Sequence, residues 1–214
     1  MGVVEDLIQK TYSELEKSAV SRQNSRSWKD PEGYRYLIPW TNLVLLRFFI
    51  RLMTNSLPAG EYRRKIQIDD AGRSAVRNIE EGFKRSTTKE YLEFIGFSQG
   101  SLEEVKGDIR ELTEDGFLKS QPGLSLNSLG IDLKIFNREL RENKGKLEDG
   151  KKVFSYIPLT VLYSPLKPLK STDLSYEIFI EIINKTDFLL QKLVVSLENK
   201  LSKEKNIIKL NRFV

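Results

Sequence analysis

The chain reads as an all-α protein: an up-down four-helix bundle with an N-terminal helical arm and an irregular insertion between the third and fourth bundle helices. Three observations predict this. Apolar positions recur in alternating steps of four and three, first at Tyr91, Ile95, Ser98, Leu102, Val105, Ile109 and Leu112, then from Tyr176 through Phe179, Ile183, Thr186, Leu190, Leu193 and Leu197 to Leu201. Such spacing is the a/d seam of a helix packed in a bundle. Residues that stop and cap helices fall between the periodic segments. With 39% apolar and 30% charged residues among 214, the chain can fill a core and has no disordered composition.

Residues 1–33 form the arm and its linker: Val3, Val4, Leu7, Ile8, Tyr12, Leu15 and Ala19 have helical spacing, and the polar stretch after Ser18 is a linker in which Trp28 is expected to dock on the domain surface. The bundle takes residues 34–118 and 171–201. Its first helix has Pro39 in the opening turn, and Trp40 to Met53 is apolar except for a few positions such as Arg47 and Arg51. A helix apolar around most of its circumference is buried on more than one side, by its own bundle or by another subunit. The second helix is expected from about Pro58 to Glu81, with Ile68, Gly72, Ala75, Ile79 and Phe83 inward. Gly82 is expected to close it in the left-handed conformation, and Ser86, Thr87 or Thr88 to cap the third helix, which runs from about Thr88 to Asp115 and stops at Gly116.

Gly96, Gly100 and Gly107 lie inside that third helix, each costing about 1 kcal/mol relative to Ala. They predict a close approach by another backbone. The insertion, 119–170, should hold one helix within Ser125 to Arg141, a polar loop from Asn143 to Lys152, and an extended segment with at most a short edge strand, since Pro158, Pro165 and Pro168 oppose a regular helix. Ser171, Thr172 or Asp173 caps the fourth helix, and 202–214 is a basic tail expected to fray.

The chain has no His and no Cys. Histidine bases, Ser-His-Asp and Cys-His arrangements, disulfides and thiolate or imidazole metal ligands are therefore excluded. The expectation is a protein that is not an enzyme, with no catalytic residue, metal or cofactor. Carboxylates do cluster at Glu80, Glu81, Glu103, Glu104, Asp108 and Glu111, but a di-metal bundle needs Glu-x-x-His pairs, so these read as a solvated or subunit-facing acidic strip. No apolar run is long enough to span a membrane, and the N-terminus lacks the features of a secretory signal. A cytoplasmic chain with no membrane partner is the expectation.

Charge is unevenly placed. Residues 34–90 carry 11 basic and 6 acidic groups and residues 91–118 carry 2 and 7, so a basic helix pair leads into an acidic helix within a chain of net charge +5. Arg63, Arg64, Arg73, Arg77, Lys84 and Arg85 are the candidate nucleic-acid-binding residues, able to neutralise RNA or DNA phosphates without reading bases. The same cations also read as an ordinary solvated face. The second function class is a protein–protein scaffold, in which charge alternation serves ring assembly and the insertion recruits a protein partner.

Several motifs carry a family resemblance: Leu37-Ile-Pro-Trp40; Arg73-x-Ala-Val-x-Asn-Ile-x-Glu-Gly-Phe83; Lys89-Glu-Tyr-x-x-Phe94; and Gly100-Ser-Leu-Glu-Glu104. With these the chain resembles the four-helix-bundle proteins related to the 23S rRNA intervening-sequence proteins, a family that includes the accessory protein of diversity-generating retroelements. Against compact members it looks like a longer subgroup, extended by the arm and the insertion. Glu80 stands where many relatives have a small residue. The resemblance implies an up-down bundle that forms homopentameric rings with a basic surface and, in the retroelement branch, binds nucleic acid and a reverse transcriptase. It carries over no catalytic residue.

Overall fold

The computed structural model describes Asp30 and residues 32–143, 146–148, 151–153 and 157–210. The predicted arm helix, Trp28 and Phe213 lie outside the described residues. Four long helices, α1 (Ile38–Thr54), α2 (Tyr62–Phe83), α3 (Thr88–Glu114) and α6 (Tyr176–Leu210), make the bundle. Between α3 and α6 come α4 (Leu133–Asn143), a two-stranded antiparallel hairpin of β1 (Lys146–Glu148) and β2 (Lys151–Val153), and the single turn α5 (Leu159–Leu162).

The hydrogen bonds between helices fix their directions. Trp40 pairs with Glu80 and Thr54 with Asp69 between α1 and α2. Ser98 pairs with Ala75 and Asp108 with Gln67 between α2 and α3. Thr88 pairs with Glu204 and Gln99 with Asp187 between α3 and α6. In each pair of helices one set of numbers rises as the other falls, so neighbours are antiparallel and the topology is up-down-up-down. α6 closes the bundle against α1, where Phe49 and Phe179 meet edge to face at 6.2 Å.

Every apolar residue of the α3 seam from Tyr91 to Leu112 is buried, and so are Phe179, Ile183, Leu190 and Leu197 of α6. Thr87 caps α3: its Oγ1 accepts the Glu90 N–H at 3.1 Å and its hydroxyl donates to the Glu90 carboxylate at 2.8 Å. Gly116 stops the helix with φ +79°. α1 is apolar nearly all round because three elements bury it: α2, α6 and α4. The hydroxyl of Thr41 on α1 meets the amide of Asn137 on α4. Its extra apolar face is thus covered from within the chain.

The insertion starts and ends at one place. The Tyr176 N–H donates to the Lys119 carbonyl at 3.0 Å. Glu177 accepts from the Ser120 hydroxyl at 2.5 Å and from the Gln121 N–H at 2.7 Å, and Glu181 accepts from the Leu126 N–H at 2.7 Å. Partial burial raises the Glu177 pKa, but those hydrogen bonds outweigh it and hold the carboxyl at about 2. Asp132 caps α4 through the Lys134 and Ile135 N–H groups, and Phe136 of α4 packs edge to face on Tyr163.

Five expectations change. Gly82 is helical and not left-handed; a Cβ there would lie 2.6 Å from the Phe94 Cβ and 3.0 Å from the Tyr91 ring. Gly96, Gly100 and Gly107 meet nothing within 4 Å, so among the described residues no backbone crosses them. The polar loop holds the short hairpin. Between the prolines lie α5 and a 3-10 turn at Ser164–Leu166, because Pro158 precedes one and Pro165 opens the other, where a missing N–H costs nothing. The fourth helix runs on to Leu210 and does not end near Leu201.

Asp108 is a buried charge in the seam between α2 and α3. It accepts one hydrogen bond, from Gln67 at 3.0 Å, and its second carboxylate oxygen has no donor. Burial, then the charges of Glu104 and Glu111, raise its pKa to about 6, against the lowering effect of Arg64 and Gln67. Because the folded pKa exceeds the unfolded value, stability falls as pH rises from about 4 to about 6 and is level above. Asp108→Asn should therefore raise unfolding stability at about pH 7, by about 2 kcal/mol, with the gain shrinking as pH falls towards about 4 in denaturant titrations. In the same assay Gly82→Ala should lose about 1–3 kcal/mol through the clash with Phe94, whereas Gly107→Ala should gain about 0.5–1 kcal/mol.

Candidate functional site

The six candidate cations of α2 and its end do not form one face. Arg63 and Arg64 lie in the first turn of α2 and Lys84 and Arg85 just past its end, about 30 Å away at 1.5 Å per residue. Arg64 is used structurally: it bonds Asp115 at 2.8 Å and Glu61 at 3.5 Å, and its guanidinium sits over the Phe117 ring. That ties the start of α2 to the end of α3. Arg85 covers the Phe94 ring at 4.4 Å and faces Glu81 at 3.9 Å, while Lys84 lies 5.7 Å from the centre of the Tyr34 ring.

Only Arg73 and Arg77 are brought together over one open surface. Each is matched by a carboxylate three residues away on its own helix, Arg73 with Asp70 at 3.0 Å and Arg77 with Glu80 at 2.9 Å. Glu80 also accepts the Trp40 indole N–H at 3.0 Å, so the carboxylate that neutralises Arg77 is held by α1. These exposed pairs contribute little to stability, about 0–1 kcal/mol each.

Arg73 and Arg77 line one side of a groove of about 650 Å³ between the outer faces of α2 and α3, together with Asn78 and Glu81. α3 supplies Gly96, Phe97, Gly100 and Glu104 to the other side. The two glycines leave the helix backbone bare. Phe97 is 58% exposed and rests edge-on against Phe94, whose own Cβ is seated on Gly82. The floor is thus anchored in the bundle while the ring above it faces outward. Sequence reading did not single out Phe97; its signal was an aromatic off the seam, flanked by a glycine inside a helix.

The acidic residues do not make a strip. Glu80 turns to α1, Asp108 is buried against Gln67, Glu103 pairs with Lys106 at 3.3 Å, and Glu81 and Glu104 flank the groove. Among the described residues no group of three or more acidic side chains is arranged to hold a metal ion, and no helix is long and apolar enough to cross a membrane.

No curated protein and no solved structure matches the chain. The groove and the three helices that build and back it lie within one stretch that does have a match. As the motifs from Leu37 to Glu104 led us to expect, residues 37–133 match the model of the family described as 23S rRNA-intervening sequence protein.

Proposed function

We propose that the protein is a non-enzymatic helical-bundle module that self-assembles through the outer face of α2 and α3. The observation that carries this reading is the groove in which Gly96 and Gly100 leave helix backbone uncovered beside the exposed ring of Phe97. Glycines inside a helix cost stability, and among the described residues no neighbour packs on Gly96 or Gly100 to offset it. A helix from a second copy can approach such a surface closely enough to bury the ring and the bare backbone together. Arg73 and Arg77 on one wall and Glu104 on the other give the face both signs of charge, so the surface of a second copy that meets it can pair with either sign. The family resemblance implies a pentamer, which would make the contact a head-to-tail one around a ring.

A second reading keeps Arg73 and Arg77 as contacts to RNA or DNA. It is favoured by their exposure, 59% and 66%, and by the weakness of their ion pairs, which a phosphate can replace. In this reading the module is accessory to an RNA-containing or reverse-transcriptase-containing complex in the cytoplasm.

Sedimentation of the full chain separates the two. Gly100→Leu places a side chain in open space, so the monomer should stay folded by circular dichroism while the sedimenting mass drops towards that of one chain. A wild-type chain already monomeric at high micromolar concentration would sink the assembly reading. Arg73→Glu with Arg77→Glu should abolish salt-sensitive RNA retention if the second reading holds, and unchanged retention would remove it.

A further inference from the structure

A second concave surface, sharing no lining residue with the first, lies at the start of α1, and its cations are of a different kind. α4 presents Lys134, Asn137, Arg138, Arg141 and Glu142 along one helix face, and with Ile38 at the first turn of α1 they line a pocket of about 340 Å³. Three cations therefore meet one carboxylate. On α2 each of Arg64, Arg73, Arg77 and Arg85 faces an acidic side chain; among the described residues Lys134 and Arg138 have no carboxylate within ion-pair distance.

The pocket is built on rigid parts. Arg141 donates from Nη2 to the Tyr36 carbonyl at 2.8 Å, which locks α4 to the chain entering α1. Its Nε is buried without an acceptor, a donor in need of an anionic or carbonyl partner. Asn137 is buried against Thr41, so the floor between the two helices is a fixed polar contact. Lys134 to Arg141 spans about 10 Å along the helix, enough for adjacent cations to engage more than one anionic oxygen. Ile38 is the one apolar lining residue, and five of the six belong to α4, beyond the segment that matches the family model.

We propose that this pocket is an anion site that takes a phosphate group through Lys134, Arg138 and the guanidinium of Arg141, presented by a nucleic-acid strand or by a free phosphorylated small molecule. A planar fork beside an ammonium suits phosphate oxygens, and the single lining carboxylate, Glu142, leaves the three cations in excess. The site is independent of the α2–α3 groove and of either reading given for it.

The test uses the full chain with Lys134→Gln and Arg138→Gln together. Both side chains are exposed, and Arg141 is left in place to hold Tyr36. A charge-matched control, Lys167→Gln with Lys192→Gln, removes the same net charge elsewhere. Binding of a short fluorescein-labelled single-stranded RNA is followed by anisotropy across a salt series, and inorganic pyrophosphate is added as competitor. The pocket variant should bind the RNA at least tenfold more weakly, with the slope of log affinity against log salt reduced by about 1.4 for two lost contacts to a single strand. The control should behave as wild type. Displacement of RNA by pyrophosphate at comparable concentration identifies a free phosphorylated ligand as the better source; displacement only at large excess identifies the strand. Equal binding by the pocket variant and wild type, an equal loss in the control, or no binding of either probe by wild type overturns the proposal. A loss confined to Arg73→Glu with Arg77→Glu would do so too, and would leave the α2 reading standing.

Discussion

The closest approach in the bundle is at Gly82, and much of the molecule is arranged around it. Only a hydrogen there lets α2 come down onto Phe94 and Tyr91 of α3. With that contact made, Phe83 falls beside Tyr91 and Tyr34, and Tyr34 stacks edge-on to Trp40. Trp40 then donates its indole N–H to Glu80. One missing methyl group therefore fixes the hairpin angle, seats the N-terminal turn of α1, and sets the carboxylate that faces Arg77. Aromatic edge-to-face pairs contribute about 0.5–1.5 kcal/mol each beyond the area they bury. Their number here means that opening the hairpin would be felt at the far side of α1.

Glycine has the opposite role on the neighbouring helix. Gly82 and Gly72 are filled by neighbours, Phe94 in one case and the Ile50 side chain in the other, so their small size is used inside the fold. Gly96 and Gly100 open onto solvent. That uncovered helix backbone, with the exposed ring of Phe97 between the two glycines, is the ground on which the assembly proposal stands. Charge follows a similar division. Arg64, Arg73 and Arg77 of α2 sit within reach of carboxylates, while Lys134 and Arg138 of α4 are exposed with no carboxylate among the described residues at ion-pair distance. Net charge alone could not separate these two populations.

Much of this was legible before the structure. The seams of α3 and α6, a cap among Ser86, Thr87 and Thr88, and the stop at Gly116 follow from local spacing, and the structure selects Thr87 as the cap. The motifs around Gly82 pointed to the family for the same reason. Other features were present in the sequence but needed a partner to be read. Asp70 with Arg73 and Arg77 with Glu80 stand at i and i+3, a spacing that announces ion pairs, yet nothing local says that Glu80 is also held by Trp40, forty residues away. The over-apolar α1 was recognised as buried on more than one side, but its cover comes from α4, about a hundred residues later. The pocket on α4 has no local signature because its lining combines the first turn of α1 with a helix about a hundred residues later.

The meeting of Lys119 with Tyr176 bears on how such a chain can change over generations. Since both ends of the insertion sit on one main-chain hydrogen bond, its length can grow or shrink without moving the register of the four long helices. Chain entropy resists such growth only logarithmically, with each doubling of a flexible loop costing about 0.6 kcal/mol. What constrains the insertion is its lodging: α4 roofs one flank of α1, where Asn137 meets Thr41, so a shortened chain would have to open that flank to solvent or recruit another cover.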